Sequence, residues 1–583
     1  MDAQIKKRID DWTKPPFSPD TINEIINLVS SNNEKELIER FYANLEFGTG
    51  GLRGIIGAGT NRMNVYTVGM ATQGLANYIK ISGKVEKGVV ITCDSRNMSD
   101  VFSKEAASIL AGNGIKVYLF KDITPTPICS FAIRELGTVS GIVITASHNP
   151  PEYNGYKVYW EDGGQIIPPQ DNDIINQVKK IDTISKIVKL DFDAAIKSGL
   201  IKIVGNEIIE SYIQRLKKSS FREISESSIK IVYTPLHGTG YKIIPDMLKY
   251  FGFGNVSVVK EQSEPDGNFP TVKSPNPEEK EALLLSIKLA EKLDADIIMA
   301  TDPDADRMGI GFKDNTGRYI LISGNQIGTM LEYYLLSRLK ETGNMPENGV
   351  VIKTIVTTDL QEEVAESFNC KVDNVLTGFK WIAKNIKDYE SSGKKKFIFG
   401  GEESYGYLPV DFVRDKDAVS ACYFFAEMTD WLIKKEVTLF DFLNQIYLNN
   451  KLYIEDLHSL TLKGLDGMEK INKIMKEFRT NPPKEFAGLH VLKVADIESL
   501  KIKDIEQQKE EPIKDLPKSD VLQFFLKDGT KITVRPSGTE PKIKFYFSAN
   551  EKVSKTNIEE KKIQLKNKIE LIKKDLIAKA EKI

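Results

Sequence analysis

Three times along this chain an apolar run breaks into a polar loop, gives way to an amphipathic stretch and returns as a second apolar run. The first copy is GVVITCDSR (88–96), then SKEAASILAGNG, then IKVYLF. The second is IKIVYTPLHGTG (229–240), a helical segment through Pro245 and Leu248, then NVSVVK (255–260). The third is NGVVIKTIVTT (348–358), LQEEVAESF and CKVDNVL (370–376). Strands buried on both faces of a parallel sheet need such uninterrupted apolar runs, and helices make the crossovers. The chain has 583 residues, more than one core can serve. The repeat therefore predicts an α/β protein with three tandem related domains.

The ends of the chain read differently. Up to about residue 45 the pattern is that of helices packed outside the first domain. Beyond about Tyr453 a mixed stretch (455–519) includes EQQKEEPIKDLPKSD, which reads as a solvated connection. VLQFFLKDGTKITVRP follows, two apolar runs around Asp528-Gly529, which is a hairpin signal. KIKFYFSA continues as a strand, and the Lys-rich tail from Asn557 as an amphipathic helix, so the last domain is expected to be α+β with an antiparallel sheet. The expected division is residues 1–205, 206–320, 321–452 and 453–583.

A net charge of −2 provides no global field to recruit nucleic acid or an anionic membrane. No apolar run approaches the ~20 residues that span a bilayer, and MDAQIKKRIDDWTK has no apolar core of a secretory signal. Cys93, Cys129, Cys370 and Cys422 are scattered without a CxxC pair and read as buried thiols of a reducing compartment. The expectation is a cytoplasmic protein whose anionic ligands are met by local basic groups.

Four loops carry candidate chemistry. Ser147 lies in GIVITASHNP, where a buried strand empties into a loop that cannot continue as helix. It is a candidate nucleophile or phosphate carrier, or else a turn residue. Asp302, Asp304 and Asp306 alternate in DPDADR after the strand ADIIMA. They suit Mg²⁺ with coordination sites left open, since a calcium loop would need Gly and Glu where Arg307 and Lys313 stand. An Asp-rich turn in which Asp302 caps a helix is the alternative. Gly400–Gly406, GGEESYG, offers Glu402 and Ser404 as acceptor and donor to sugar hydroxyls, although turns of this composition are common. RPSGTEP, with Arg535, Ser537, Gly538 and Thr539, has the inventory of a phosphate cradle. No GxxxxGK[ST] occurs, so it is not a nucleotide loop. Arg53 in TGGLRG is an anion contact or part of a mobile turn. Lys380 in TGFKW is a proton donor with a lowered pKa or a surface lysine lying over aromatic carbon. Of the four histidines only His148 sits beside a chemical neighbour, while His237 in PLHGTG reads as serving loop structure.

Taken in order, TASHNP, DPDADR, GEESYG and RPSGTEP resemble the phosphoserine, magnesium, sugar-recognition and phosphate-binding loops of the α-D-phosphohexomutase superfamily. FGTGGLRG, GTNRMN and EPDGNFPTVKSPNPE resemble its branch of phosphoglucomutases, phosphopentomutases and glucose-1,6-bisphosphate synthases. The resemblance implies three related α/β domains and a smaller fourth around a central cleft. It implies that Ser147 is phosphorylated and that Asp302, Asp304 and Asp306 hold Mg²⁺ with an oxygen on Ser147. Glu402 and Ser404 would read sugar hydroxyls, and Arg535, Ser537, Gly538 and Thr539 would grip the phosphate not being transferred. Lys380 or Lys157 would move a proton, and Arg53, His148 and Arg307 would line the cleft. The implied activity interconverts glucose 1-phosphate and glucose 6-phosphate, with glucose 1,6-bisphosphate as intermediate and activator. Pentose or mannose phosphates, or bisphosphate synthesis, are the alternatives within the class. From another class, a silent phosphosugar-binding protein would show a degraded serine, aspartate or phosphate loop, and all three are intact.

Overall fold

The computed structural model describes residues 1–48, 50–462, 464–537 and 542–583. Contacts divide the chain into two compact units. One comprises Met1–Ser323, Ala383–Ser392 and Ser404–Trp431, and the other Gly324–Ile382, Gly393–Glu403 and Leu432–Ile583.

The first unit contains two sheets. In the first sheet the strands are β1 (Gly51–Ile55), β2 (Val89–Cys93), β3 (Val117–Phe120), β4 (Ser140–Ile144), β5 (Tyr153–Trp160) and β6 (Ile201–Val204), arranged β1-β5-β4-β2-β3-β6. The second holds β7 (Ile231–Thr234), β8 (Val256–Val258), β9 (Ile297–Thr301), β10 (Met308–Lys313) and β11 (Tyr319–Leu321), arranged β11-β10-β9-β7-β8. In the second unit β12 (Gly349–Thr354) lies between β13 (Lys371–Val375) and β14 (Lys396–Glu402), all parallel.

The three sheets repeat one arrangement. In each, the first strand of a sequence repeat pairs in parallel with the second on one side, as β2 with β3, β7 with β8 and β12 with β13. On its other side it pairs in parallel with a third strand, β4, β9 or β14. The apolar runs are buried as expected, with Val89, Ile91, Val117, Ile142 and Ile144 fully inside. Ser147, Asp302 and Glu402 all stand at the carboxyl end of that third strand or in the loop leaving it, the position at which α/β sheets present ligands.

The N-terminal helices Ala3–Asp11, Pro19–Ser30 and Glu34–Phe41 form their own small core of Ile9, Trp12, Ile25, Leu37 and Phe41, closed by Tyr66. In the second unit an antiparallel sheet runs from Leu452–Thr461 through Lys542–Glu551, Lys531–Pro536, Leu522–Leu526 and Leu489–Asp496 to an edge hairpin, Lys501–Asp504 with Lys509–Pro512. The stretch 455–519, expected as a solvated connection, thus carries strands and the helix Gly464–Thr480. Its charged hairpin is an edge, where exposed Lys and Glu deter further strand pairing and mimic a linker in composition. The parallel and antiparallel sheets of this unit are tied by ion pairs. Lys353 Nζ, on β12, donates to Asp359 Oδ1 at 2.9 Å and lies 3.0 Å from Glu362 Oε1. Lys531 Nζ reaches both oxygens of Asp359 at 2.7 Å.

Candidate active site

The loop after β4 holds Ser147 at φ 54°, in the left-handed region, with 3 % exposure. Its N–H donates to Thr145 Oγ1 at 2.8 Å, and Asn149-Pro150 carries the chain away. What fixes this backbone is Arg96, at the end of the first repeat. Its guanidinium donates to the carbonyls of Ser147 (2.6 Å), Pro150 (2.8 Å) and Tyr153 (3.1 Å), and also to that of Asn149. Asp94, 3.4 Å from Arg96 Nε, balances the buried charge, and the Phe269 ring lies 4.9 Å from the guanidinium carbon. One arginine therefore satisfies four carbonyls of the loop that aims the serine.

Ser147 Oγ donates to Asp302 Oδ2 at 2.9 Å and lies 3.1 Å from His148 Nδ1. Burial first, then the Arg307 and Arg53 guanidiniums, hold the His148 imidazole well below its ordinary pKa, so it is neutral near pH 7. Asp302 also closes its own loop, because Oδ1 accepts the backbone N–H groups of Asp306 (3.1 Å) and Arg307 (3.0 Å). Ala305, at φ 48°, completes the turn.

Asp302, Asp304 and Asp306 are each no more than 1 % exposed, and one carboxylate oxygen from each lies within 4.8 Å of the others. Lys157 Nζ, projecting from β5, reaches Asp304 Oδ2 at 2.8 Å and Asp306 Oδ2 at 3.4 Å. Lys416 Nζ lies 3.0 Å from Asp306 Oδ2. Three carboxylates thus face two ammoniums and the guanidinium of Arg307, whose Nε lies 3.8 Å from Asp306 Oδ1. Burial, then the Asp304 and Asp306 charges, push the Asp302 carboxyl well above the carboxylate range. Burial acts on Asp304 in the same sense, but Lys157 and Lys416 prevail and hold it far below. Asp304 Oδ1 and Asp306 Oδ1 are buried and accept no hydrogen bond. Three converging carboxylates, with two buried oxygens that accept no hydrogen bond, fit a hard divalent cation bound through oxygen.

In the second unit Glu402 is 8 % exposed, and its Oε1 accepts the Gly378 N–H at 2.9 Å, just ahead of the helix Phe379–Ser392 that begins beside Lys380. Lys380 Nζ lies 5.5 Å from the centre of the Trp381 ring. Burial, and then Glu402, push the Glu403 carboxyl up to about 7. Arg535 is on the strand Lys531–Pro536 opposite Lys544, and Ser537 N–H donates to Lys542 O at 2.7 Å.

The first unit therefore brings together Ser147, His148, Lys157, Asp302, Asp304, Asp306 and Arg307. Arg53, on β1, joins them through Asn149 Oδ1 at 3.5 Å. Ser404 belongs to this unit by contact, whereas Glu402, Lys380, Arg535 and Ser537 belong to the second. Gly538 and Thr539, like Thr49, lie outside the described residues. His237 serves loop structure as expected, its two ring nitrogens engaged by Glu264 O (3.0 Å) and Thr271 Oγ1 (2.9 Å). Sequence reasoning missed Arg96 and Lys416. The only signal for Arg96 was the Asp94-x-Arg96 pair at a strand end, and Lys416 sits in a charged run, RDKD, with no distinguishing mark.

Residues 44–185, 210–316 and 323–448 match the α/β/α domains I, II and III of phosphoglucomutase/phosphomannomutase, and residues 483–564 match its C-terminal domain. The chain belongs to the phosphoglucomutase/phosphomannomutase family. It is 40 % identical over 546 residues to a phosphoglucomutase of Staphylococcus haemolyticus, covering 93 % of this chain and 96 % of that one. With a phosphoglucomutase of Staphylococcus saprophyticus it shares 39 % over 533 residues, 91 % and 95 % of the two chains. The family fold recurs in a phosphoglucomutase/phosphomannomutase family protein of Burkholderia thailandensis, at a TM-score of 0.65 and 18 % identity over 92 % of this chain and 98 % of that one. It recurs also in parafusin of Paramecium, at a TM-score of 0.63 and 18 % identity over 88 % and 90 %. The chain is a phosphotransferase of this phosphohexomutase family, with three related α/β domains and an α+β domain at its C-terminus. Among the described residues no helix is long and apolar enough to cross a membrane.

Proposed function

We propose that this protein interconverts α-D-glucose 1-phosphate and glucose 6-phosphate through phosphorylated Ser147. The observation that carries the reading is a hydroxyl on a braced, left-handed loop, 2.9 Å from a carboxylate in a buried cluster of three, two of whose oxygens accept no hydrogen bond. In the active form the phosphoryl group would reside on Ser147 Oγ. Its O–P bond breaks as a new bond forms to the free hydroxyl of the sugar monophosphate; that hydroxyl's proton passes to a basic side chain, and the leaving Ser147 Oγ takes up a proton to become the hydroxyl again. The bisphosphate then turns around, and its other phosphoryl group returns to Ser147.

Asp302, Asp304 and Asp306, with an oxygen on Ser147, would hold Mg²⁺, which when bound supplies charge neutralisation for the transferring group. Lys157 keeps a fixed positive charge beside the aspartates, and neutral His148 meets Ser147 Oγ through Nδ1. Lys380 is the candidate proton carrier of the second unit. Arg53 and Arg307 meet anionic substrate. Glu402 and Ser404 read sugar hydroxyls, and Arg535, Ser537, Gly538 and Thr539 grip the phosphate at rest. Glucose 1,6-bisphosphate would activate the enzyme by charging Ser147, and the scattered cysteines support a cytoplasmic location.

Ser147→Ala decides the matter. It should lower turnover by about three orders of magnitude or more, since the carrier is absent rather than weakened, with melting unchanged. After incubation with glucose 1,6-bisphosphate, wild-type protein should carry phosphate on the Ser147 peptide. Full activity in the alanine variant refutes the carrier, and a faster rate with mannose or ribose 1-phosphate than with glucose 1-phosphate refutes the sugar.

A further inference from the structure

In the first unit a cavity of about 330 Å³ opens beside the helices Asn206–Ser219 and Gly240–Tyr250. It is of the size of a small-molecule site. Its walls are apolar, formed by Ile209, Ile213, Ile243 and Met247 with the rings of Tyr241 and Tyr250. Three carboxylates line it, those of Asp122, Glu210 and Asp246, against the single ammonium of Lys242, while Lys217 Nζ lies 5.6 Å from the Tyr250 ring centre. Thr239, 2 % exposed, also lines it, and its hydroxyl has no hydrogen-bond partner among the described residues. Apolar walls, a surplus of negative charge and an unmet hydroxyl together select a compact apolar body that carries a protonated amine.

The cavity wall is continuous with the aspartate loop. Pro125 lines the cavity and precedes Thr126, whose N–H donates to Asp304 O at 2.9 Å and whose hydroxyl donates to Asp304 Oδ2 at 2.8 Å. Thr239 N–H donates to Pro303 O at 2.8 Å. Beside it, a Cβ at Gly238 would stand 2.4 Å from Pro303 Cα, so only glycine allows these two backbones to touch. The glycine-bearing PLHGTG loop thereby joins the cavity wall to the aspartates with no intervening space.

We propose that this cavity is a regulatory site for a small apolar amine, which acts by fixing the Pro125–Thr126 and Gly238–Thr239 segments against the aspartate loop. Neither binding nor loop protection depends on turnover, so the sugar phosphate used in catalysis has no bearing on the test. Tryptamine and indole-3-propionate share a ring and carry opposite charges. Titrated calorimetrically into the full chain, tryptamine should bind with a Kd below about 1 mM and at least tenfold more tightly than the acid. It should also slow amide exchange in residues 302–307 at least threefold. Ile213→Trp, which fills the cavity, should weaken tryptamine at least tenfold, and Asp246→Lys should erase the preference for the amine. The exposed Asp246 position keeps the test open if Ile213→Trp does not fold. Equal affinity for acid and amine, no binding of tryptamine, preference unchanged in Asp246→Lys, or binding without protection of 302–307 would each overturn the proposal.

Discussion

In the first unit Lys157 and Lys416 face three aspartates, whereas in the second Lys353 and Lys531 face Asp359 and Glu362. The second cluster is closed around Asp359, both of whose oxygens are taken. The carboxyl groups beyond that pairing are raised by burial, and Glu332 Oε1, Glu332 Oε2 and Glu455 Oε1 accept no hydrogen bond. Glu332, in the helix Gly324–Glu341, is driven well above the carboxylate range by burial, and Glu455 is raised to about 7, again chiefly by burial. The first cluster instead gathers three carboxylates into one 4.8 Å group, the only such group of three among the described residues. The number of buried charges does not mark a site. Carboxylates that converge on one point do.

If that distinction holds, the two clusters respond oppositely to the same mutation. Asp304→Asn removes one charge at constant shape and should lower turnover at least a hundredfold, while the melting midpoint changes little. A large fall in melting with modest loss of turnover would make the aspartate cluster structural. Asp359→Asn leaves Lys353, 1 % exposed, and Lys531 without their shared counter-charge. A cost of about 3 kcal/mol in stability is expected, with turnover of the folded protein within a few-fold of wild type. Equal stability would show the closed cluster to be idle.

Arg96→Lys keeps the charge and loses the fork that serves four carbonyls. A ten- to hundredfold slower phosphorylation of Ser147 is expected, at unchanged Mg²⁺ requirement, and a purely structural arginine would lower only the melting point. The smallest effect concerns Glu455. Its folded pKa of about 7 exceeds the ordinary 4.5, so its contribution is present below pH 4.5 and lost as pH rises through 7. Glu455→Gln should remove that slope, on the order of 1–2 kcal/mol after allowance for partial exposure. Melting curves of both proteins between pH 5 and 8 that stay parallel would show that Glu455 ionises normally.

The three parallel units were legible because a strand buried on both faces must be apolar throughout, and Val89–Cys93 or Ile297–Thr301 can be little else. The hairpin of Lys501–Asp504 and Lys509–Pro512 was not, since an edge strand is paired on one side and solvated on the other, and its composition is that of a loop. The same limit governs the site. Ser147 and the aspartates stand in short motifs whose spacing carries their chemistry. Arg96 acts on carbonyl oxygens, which every residue has, so nothing in the local sequence names its partners. Lys416 meets Asp306 only because the chain returns to the first unit after the third sheet.

The left-handed backbone at Ser147 also decides which amino acid can occupy the position. Threonine carries the same hydroxyl, but its γ-methyl makes it β-branched, and at φ 54° such a side chain collides with its own main chain. Serine is the alcohol that tolerates this turn. The proposed carrier is thus restricted to an unbranched residue by the shape of its peptide rather than by the reactivity of its oxygen.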